Sequence, residues 1–335
     1  MPYRAPPPTI EKPLLLADIG GTNARFSLIG EGVSERTLVL PSARFSSLDA
    51  ATQEFLSTIP AEHRPRHAAF AVAGPVMGDE VTLTNLSWRF SIAKLKDTLG
   101  LARLEVINDF TAVALAIPQL STIDIQRIGS TAGLNTSITG GTMITGMPVA
   151  VLGPGSGLGV SGLILAPGGG WLPLSGEGGH VLLAPADDRE SDILRCLRRE
   201  FGPVSAERVV SGPGLINLYH ALCSLDGRTP TQTAAADITT AALNGSCPFC
   251  RETLEVFASF LGNVAGNLAL TLGARGGVYI AGGIVPRLGI FLERSAFRRR
   301  FVEKGPQQSY LEAIPSFVIT HPHPAFLGLA SLFSQ

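Results

Sequence analysis

Charge is scarce in this sequence, and what there is nearly cancels. Only 16% of the 335 residues are Asp, Glu, Lys or Arg, and the formal net charge is −1. That balance excludes a general electrostatic pull toward nucleic acid or an anionic membrane as the basis for partners. The basic run Arg298-Arg299-Arg300 reads as the solvated face of a helix. Cysteine is also sparse. Four in this length make no disulfide framework, and they read as reduced thiols of a cytoplasmic protein. Cys247 and Cys250 form a CxxC in "GSCPFC". Cys196 and Cys223 lack the spacing to complete a zinc site, and the βα context of a redox motif is missing. Long apolar runs are missing too: glycine, proline or charge interrupts each before it could span a bilayer. The opening "MPYRAPPPTIEKP" has no apolar signal-peptide core and is expected to be a mobile tail.

What is plentiful is apolar residue, at 45%, and glycine, at 38 residues clustered beside apolar runs. The length fits two domains better than one simple core. "LLLADIGGTNARFSL" reads as a strand, a glycine turn and a second strand, with Asp18 placed where a hydrated cation could sit. Strands and helices then alternate: "ERTLVLP", the helix "SLDAATQEFLST", "HAAFAVAGPV", "DEVTLTNL", and "SIAKLKDTLG" with Ser91 as N-cap. "LEVINDFTAVALAIP" is a strand, a polar corner and a helix. After the looser "GSTAGLNTSITGGTMITG", "VAVLGPGSGLGVSGLILA" repeats the opening pattern. Helical segments follow, then "GGVYIAGGIVPRL", a strand end opening into a helix, and finally strand "PSFVITHP" and helix "PAFLGLASLFS". Two strand–turn–strand units imply two related α/β domains facing a cleft, each presenting backbone N–H groups to one polyphosphate.

Gly157-Leu-Gly159-Val-Ser-Gly162 matches GxGxxG, but the residues that follow alternate as a strand. A dinucleotide fingerprint needs a helix there. Asp109, in "INDF", is either the N-cap of the next helix or a carboxylate that accepts a substrate proton, and spacing alone does not separate the two. Asn108 beside it can donate to and accept from a hydroxyl. Glu177 and His180, in "LSGEGGH", lie among too many glycines for a metal-binding helix and suit a polyhydroxylated ligand, or a plain surface loop. Glu207 reads as an ordinary helical glutamate. His321 and His323, between prolines, read as a rigid turn.

Taken in order, "DIGGTNARFSL", "GPVMGDEVTLTNLSWRFSI", "LEVINDFTAVALAIP", "GPGSGLGVSGL", "LSGEGGHV" and "VSAERVVSGPGLINLY" resemble the bacterial glucokinases of the hexokinase and actin-like ATPase superfamily. The resemblance implies a two-domain α/β actin-like ATPase (ribonuclease H-like) fold with the active site in the interdomain cleft. It implies a tail over 1–13, a smaller domain of 14–118 plus 316–335, and a larger one of 119–315. The implied reaction is ATP-dependent phosphorylation of glucose at its 6-hydroxyl, with Asp109 as base. Asn108, Glu177, His180 and Glu207 would bind the sugar. Asp18, Gly20, Gly21, Thr22 and Asn23 would form one phosphate loop, with Asp18 serving Mg²⁺. Gly155, Ser156 and Gly157 would form the other, Ser156 standing where the family usually has threonine. Gly282 and Gly283 would lie beside the nucleoside. The related ROK kinases carry a cysteine-rich zinc segment after the ExxH loop. "VLLAPADDRESDILRCL" stands there instead, which places the chain in the branch without structural zinc. A homodimer is also implied. Kinases of other hexoses and a sugar-responsive regulator without catalysis are the alternatives.

Overall fold

The strand β1 (Leu14–Ile19) is apolar on both faces. Leu15, Ala17 and Ile19 join a core with Phe26, Phe55 and Phe70, while Leu14 and Leu16, equally buried, point the other way. A strand buried on both sides belongs inside a sheet covered by helices, as α/β folds require. The computed structural model describes residues 13–30, 36–84, 86–129 and 146–333. The expected tail and the "GSTAGLNTSITGGTMITG" stretch lie outside them, apart from Pro13, Gly129 and Gly146.

The chain divides into two units. The first runs to Ser121 and adds Pro173–Ser175 and the chain from His321; the second holds Thr122–Leu172 and Gly176–Thr320. In the first, β1 pairs antiparallel with β2 (Asn23–Ile29), which pairs with β3 (Arg36–Pro41). On its other side β1 runs parallel to β4 (His67–Val72), with β7 (Arg103–Asn108) beyond. Strands β5 (Glu80–Thr82) and β6 (Arg89–Ser91) form a separate ribbon. One face is covered by α1 (Leu48–Ser57), capped by Ser47, whose hydroxyl accepts from the Ala50 N–H. Helix α2 (Ile92–Thr98) is capped likewise by Ser91, as the sequence predicts. Phe26 stacks on Phe55 in this core, ring centroids 5.5 Å apart. Each fully buried phenylalanine contributes about 1.5–3 kcal/mol. On the other face α3 (Asp109–Ala116) packs on α11 (Pro324–Ser331), so closely that a Cβ at Gly328 would meet the Ala112 carbonyl at 1.8 Å.

The second unit repeats that strand order. β11 (Trp171–Gly176), β10 (Leu158–Leu165), β9 (Val149–Pro154), β12 (Val278–Ile280) and β13 (Ser316–Ile319) lie side by side, and β8 (Ile125–Ile128) adds an antiparallel edge. Its helices are α4 (Asp188–Phe201), α5 (Gly212–Leu225), α6 (Ala235–Leu243), α7 (Pro248–Leu272), α8 (Ile290–Arg294), α9 (Phe297–Val302) and α10 (Gln308–Glu312). Among the described helices α7 alone has the length and apolarity of a membrane span. It buries Phe257, Phe260 and Leu261 in the core of this unit.

Three expectations change here. Ser316–Ile319 pairs with β12 and β8, so the return to the first unit comes at His321 rather than at residue 316. The strand end after Ile280 does not open into an α-helix. Gly282 turns the chain at φ +85°, Pro286 sits in a single 3-10 turn, and Gly289, at φ +50°, delays α8 to Ile290. The arginine run is only partly solvated. The Arg300 side chain is 10% exposed and donates to Glu190 at 2.6 Å and to Asp187, while Arg298 donates to Ser316 Oγ at 3.0 Å and to two carbonyls. Asp187 and Glu190 stand 113 and 110 positions before Arg300, a pairing that no local pattern reveals.

Candidate active site

In the first unit the parallel strands β1, β4 and β7 end in one row, since Ile19 pairs with Val72 and Val72 with Asn108. Open α/β sheets bind ligands at that edge. Two strand spacings separate β1 from β7, roughly 10 Å. At one end of the row is the turn expected from "DIGGTN". The Gly20 N–H donates to the Asn23 carbonyl at 3.0 Å, closing it, and Gly21 and Thr22 form its tip, with Thr22 exposed. Ser42 braces it from outside, donating Oγ to the Gly20 carbonyl at 3.0 Å and N–H to the Thr22 carbonyl at 3.0 Å.

Asp18 lies just before this turn and pairs across the hairpin with Arg25, Nη1 to Oδ2 at 3.0 Å. Burial pushes its carboxyl above the ordinary 3.8, and the Arg25 guanidinium and the His323 charge oppose that push. Arg25 and Ser42 were missed by the sequence reading. For Arg25 a signal existed: a hairpin turning on Gly20–Thr22 sets positions 18 and 25 opposite each other. For Ser42, beyond the next strand, none did.

At the other end of the row, Asn108 and not Asp109 caps α3. Its Oδ1 accepts from the Phe110 N–H at 2.9 Å and the Thr111 N–H at 3.1 Å, and its Nδ2 donates to the Gly74 carbonyl at 3.2 Å. Asp109 is the first helical residue, and its Oδ1 accepts from the Phe110 N–H at 2.9 Å. The capping alternative for Asp109 is thereby answered: the extended residue before the helix takes that task.

In the second unit, β9 and β10 are antiparallel about Gly155–Gly157, which settles the GxGxxG match. A strand follows, not a helix. The Gly155 N–H donates to the Gly157 carbonyl at 2.8 Å, and the Gly155 carbonyl accepts from the Gly212 N–H at 2.8 Å. Ser156 is exposed at the tip. A Cβ at Gly282 would stand 2.4 Å from the Pro154 carbonyl, so the end of β12 lies directly against this turn; Gly283 has open space.

Glu207 is not on a helix. It lies in a turn before α5, half-buried, and its Oε2 accepts from the Leu158 N–H at 2.8 Å. Its own N–H donates to the Gly179 carbonyl at 2.9 Å. One residue therefore ties the second glycine turn to the loop that carries Glu177 and His180. That loop is a single 3-10 turn, Gly178–His180, in which the His180 N–H donates to the Glu177 carbonyl at 3.0 Å. Both side chains are exposed. Glycine is required at 179, where a Cβ would be 2.1 Å from the Leu158 carbonyl. Among the described residues no three His, Cys, Asp or Glu side chains gather as a metal-binding cluster. Asp18 suits a different kind of site. Mg²⁺ carried by a nucleotide takes one or two protein carboxylates and draws its other ligands from phosphates and water.

Comparison with known proteins gives one answer. The glucokinase family profile matches residues 15–335. A glucokinase of Paramagnetospirillum magneticum is 49% identical over 323 residues, covering 96% of this chain and 98% of the relative. One of Yersinia enterocolitica is 45% identical over 325 residues, covering 96% of each chain. Among solved structures, a glucokinase from an Antarctic psychrotroph superposes with a TM-score of 0.82 at 39% identity, covering 97% of this chain and 99% of that one. The glucokinase of Balamuthia mandrillaris, solved in complex with glucose, reaches 0.82 at 22% identity, covering 96% and 93%, and shares the fold. ROK sugar kinases match less closely, one from Thermus thermophilus at 0.62, and the architecture is that of the actin-like ATPases. With its two repeated sheets, its paired glycine turns and this match over nearly its whole length, the chain belongs to the glucokinase family and phosphorylates glucose with ATP.

Proposed function

We propose that Asp109 is the base of this reaction, accepting the proton of the glucose 6-hydroxyl as the γ-phosphoryl group of ATP is transferred in line. The observation that carries the assignment is its position. Asp109 follows the capping residue at the carboxyl edge of the parallel strands, in the row that ends in the Asp18 turn. Phosphoryl transfer asks a protein for positioning and charge neutralisation more than for covalent chemistry. The Phe110 N–H orients the Asp109 carboxylate. Asn108 spends its carbonyl oxygen on the α3 N-terminus and one amide hydrogen on Gly74; the second hydrogen is the one we assign to a sugar hydroxyl. Glu177, His180 and Glu207 complete the sugar set.

Gly20, Gly21, Thr22 and Asn23 bind phosphate in this reading through the first turn. Gly155, Ser156 and Gly157 do so through the second, where the exposed Ser156 hydroxyl supplies what the family's threonine would. Gly282 and Gly283 stand beside the nucleoside. Mg²⁺, when bound, neutralises phosphate charge, and Asp18 is the carboxylate assigned to it, directly or through water. The same reading carries a homodimer in the cytoplasm at the entry to glycolysis. Light scattering tests the dimer.

The test is ADP formation with MgATP over a panel of hexoses, with Asp109→Ala beside the unmodified chain. Glucose-dependent turnover should fall by about 10²–10⁴-fold in the variant while glucose still binds. Retained turnover would remove Asp109 as base. Turnover led by another hexose would keep the mechanism and change the substrate.

A further inference from the structure

The CxxC is unused by the reaction, and its placement is not that of inert core thiols. Cys247 is the N-cap of α7, with φ −137° and ψ 106°, and its Sγ accepts from the Cys250 N–H at 3.3 Å. The two thiols are also hydrogen-bonded to each other. Cys247 is partly exposed and Cys250 is buried. The Arg228 guanidinium lies 4.3 Å from the ring of Phe249, the residue between them, and its charge reaches Cys247. Cys223, buried on α5, is close enough to act on Cys250 and to feel the charge of Cys247.

We propose that Cys247 and Cys250 form a reversible dithiol–disulfide site, with Cys247 the nucleophile and Cys250 the resolving thiol. Residues three apart on a helix have Cβ atoms about 5–6 Å apart, against about 3.5–4.5 Å in a disulfide. The extended backbone at Cys247, just outside the helix, allows that approach without unwinding α7. The oxidant class is a hydroperoxide. The Cys247 thiolate attacks the O–O bond, forming an S–O bond and releasing the alcohol or water, and leaves a sulfenic acid. The Cys250 sulfur then attacks that sulfur, expelling water and closing the S–S bond. Two thiols lose two electrons and two protons, and one peroxide takes them. A thiol reductant reverses the change.

Further support comes from acidity. Burial opposes the Cys247 thiolate but is outweighed by the Cys250 N–H and thiol, the Phe249 N–H and Arg228, which together hold Cys247 below the usual 9.0; Cys250 is pushed up to about 12, chiefly by burial. The exposed thiol is the one poised to attack.

The experiment titrates the full chain with hydrogen peroxide and maps thiols by peptide mass spectrometry. The expected result is loss of two of the four thiols, a Cys247–Cys250 disulfide, and full recovery in dithiothreitol. Iodoacetamide should label Cys247 about tenfold faster than Cys196 at neutral pH. In Cys250→Ala the reaction should stop at a dimedone-trappable sulfenic acid on Cys247, and Cys223→Ser should leave the disulfide unchanged. Should Cys250→Ala fold poorly, wild-type mapping decides alone. A bridge from Cys247 to Cys223, or four thiols that survive peroxide at the rate of free cysteine, would overturn the proposal.

Discussion

The two glycine turns occupy equivalent places in two sheets of the same strand order, yet they are held in different ways. The first is charged. Asp18 and Arg25 pair across its base, and Ser42, just beyond β3, braces its backbone. The second turn has no charge of its own. Its backbone is held by Gly212; the Glu207 carboxylate touches it, and the Glu207 N–H also grips the Glu177–His180 loop. On the proposed function a repeated architecture serves two tasks: the first turn carries the carboxylate assigned to Mg²⁺, and the second couples amide groups to the proposed sugar side chains. Charge in the second unit is instead sunk into its scaffold, in Arg300, Glu190 and Asp187.

If that division holds, breaking the scaffold cluster should cost stability, and breaking the Asp18 pair should cost activity. Arg300→Ala carries the larger effect. It leaves Glu190, a 4% exposed carboxylate, without its cation, and such a loss is worth about 3–5 kcal/mol. Denaturant unfolding should show a matching drop in midpoint. Equal stability would mean that Glu190, already pushed above its ordinary 4.5 by burial, simply takes up a proton.

Asp18→Asn should act the opposite way. Turnover is expected to fall about 10²-fold, some 2.7 kcal/mol, through the phosphate side. Stability should not fall in step. The folded-state pKa of Asp18 is raised, so the native state holds its proton to higher pH than the unfolded chain does. Ionising it costs stability as pH rises from about 4 through that raised value. The asparagine removes this cost but strands Arg25. The thermal midpoint of the variant, relative to wild type, should therefore improve from acid toward neutral pH. A parallel loss of activity and midpoint would make the pair scaffold, like Arg300, and erase the comparison.

Much of this was legible because it is local. An apolar run stopped by Asp18, two glycines and a resumed run make a hairpin whatever surrounds them. The strand after Gly157 follows from alternation, and Ser91 as a cap from its place before "IAKLKD". The misreadings share a cause, which is sequence distance. Arg300 looked solvated because Glu190 stands 110 residues earlier, and Glu207 looked like an exposed helical residue because its partners, Leu158 N–H and the Gly179 carbonyl, come from other segments. Asn108 and Asp109 were separated only by seeing which of them is extended, a choice of one residue that helix periodicity does not make.

Smaller changes sharpen the comparison further, because each turn has a glycine whose missing side chain faces something different. A Cβ at Gly157 would stand 2.4 Å from Glu207 Oε2, the far end of a side chain that can swing away. Gly157→Ala should therefore fold but displace Glu207 from the Leu158 N–H, a charge-assisted bond worth about 1.5–3 kcal/mol. The KM for glucose should rise by about tenfold or more, and restoring glycine at 157 should restore it.

At Gly20 a Cβ would meet, among the described residues, only the Asn23 carbonyl at 3.4 Å, an ordinary contact. Gly20→Ala should leave stability within about 0.5 kcal/mol of wild type. Whatever it costs must then come from crowding a ligand against the turn, so the KM for ATP should rise while that for glucose stays put. Steady-state kinetics on the two variants, each substrate varied in turn, reads both at once. A glucose effect at Gly20, or an unchanged KM for glucose in Gly157→Ala, would undo this division; an added ATP effect at Gly157 is expected from its place in the second phosphate turn. Crossed effects at both would mean the turns act as one device, with Glu207 a strut and not a sugar ligand.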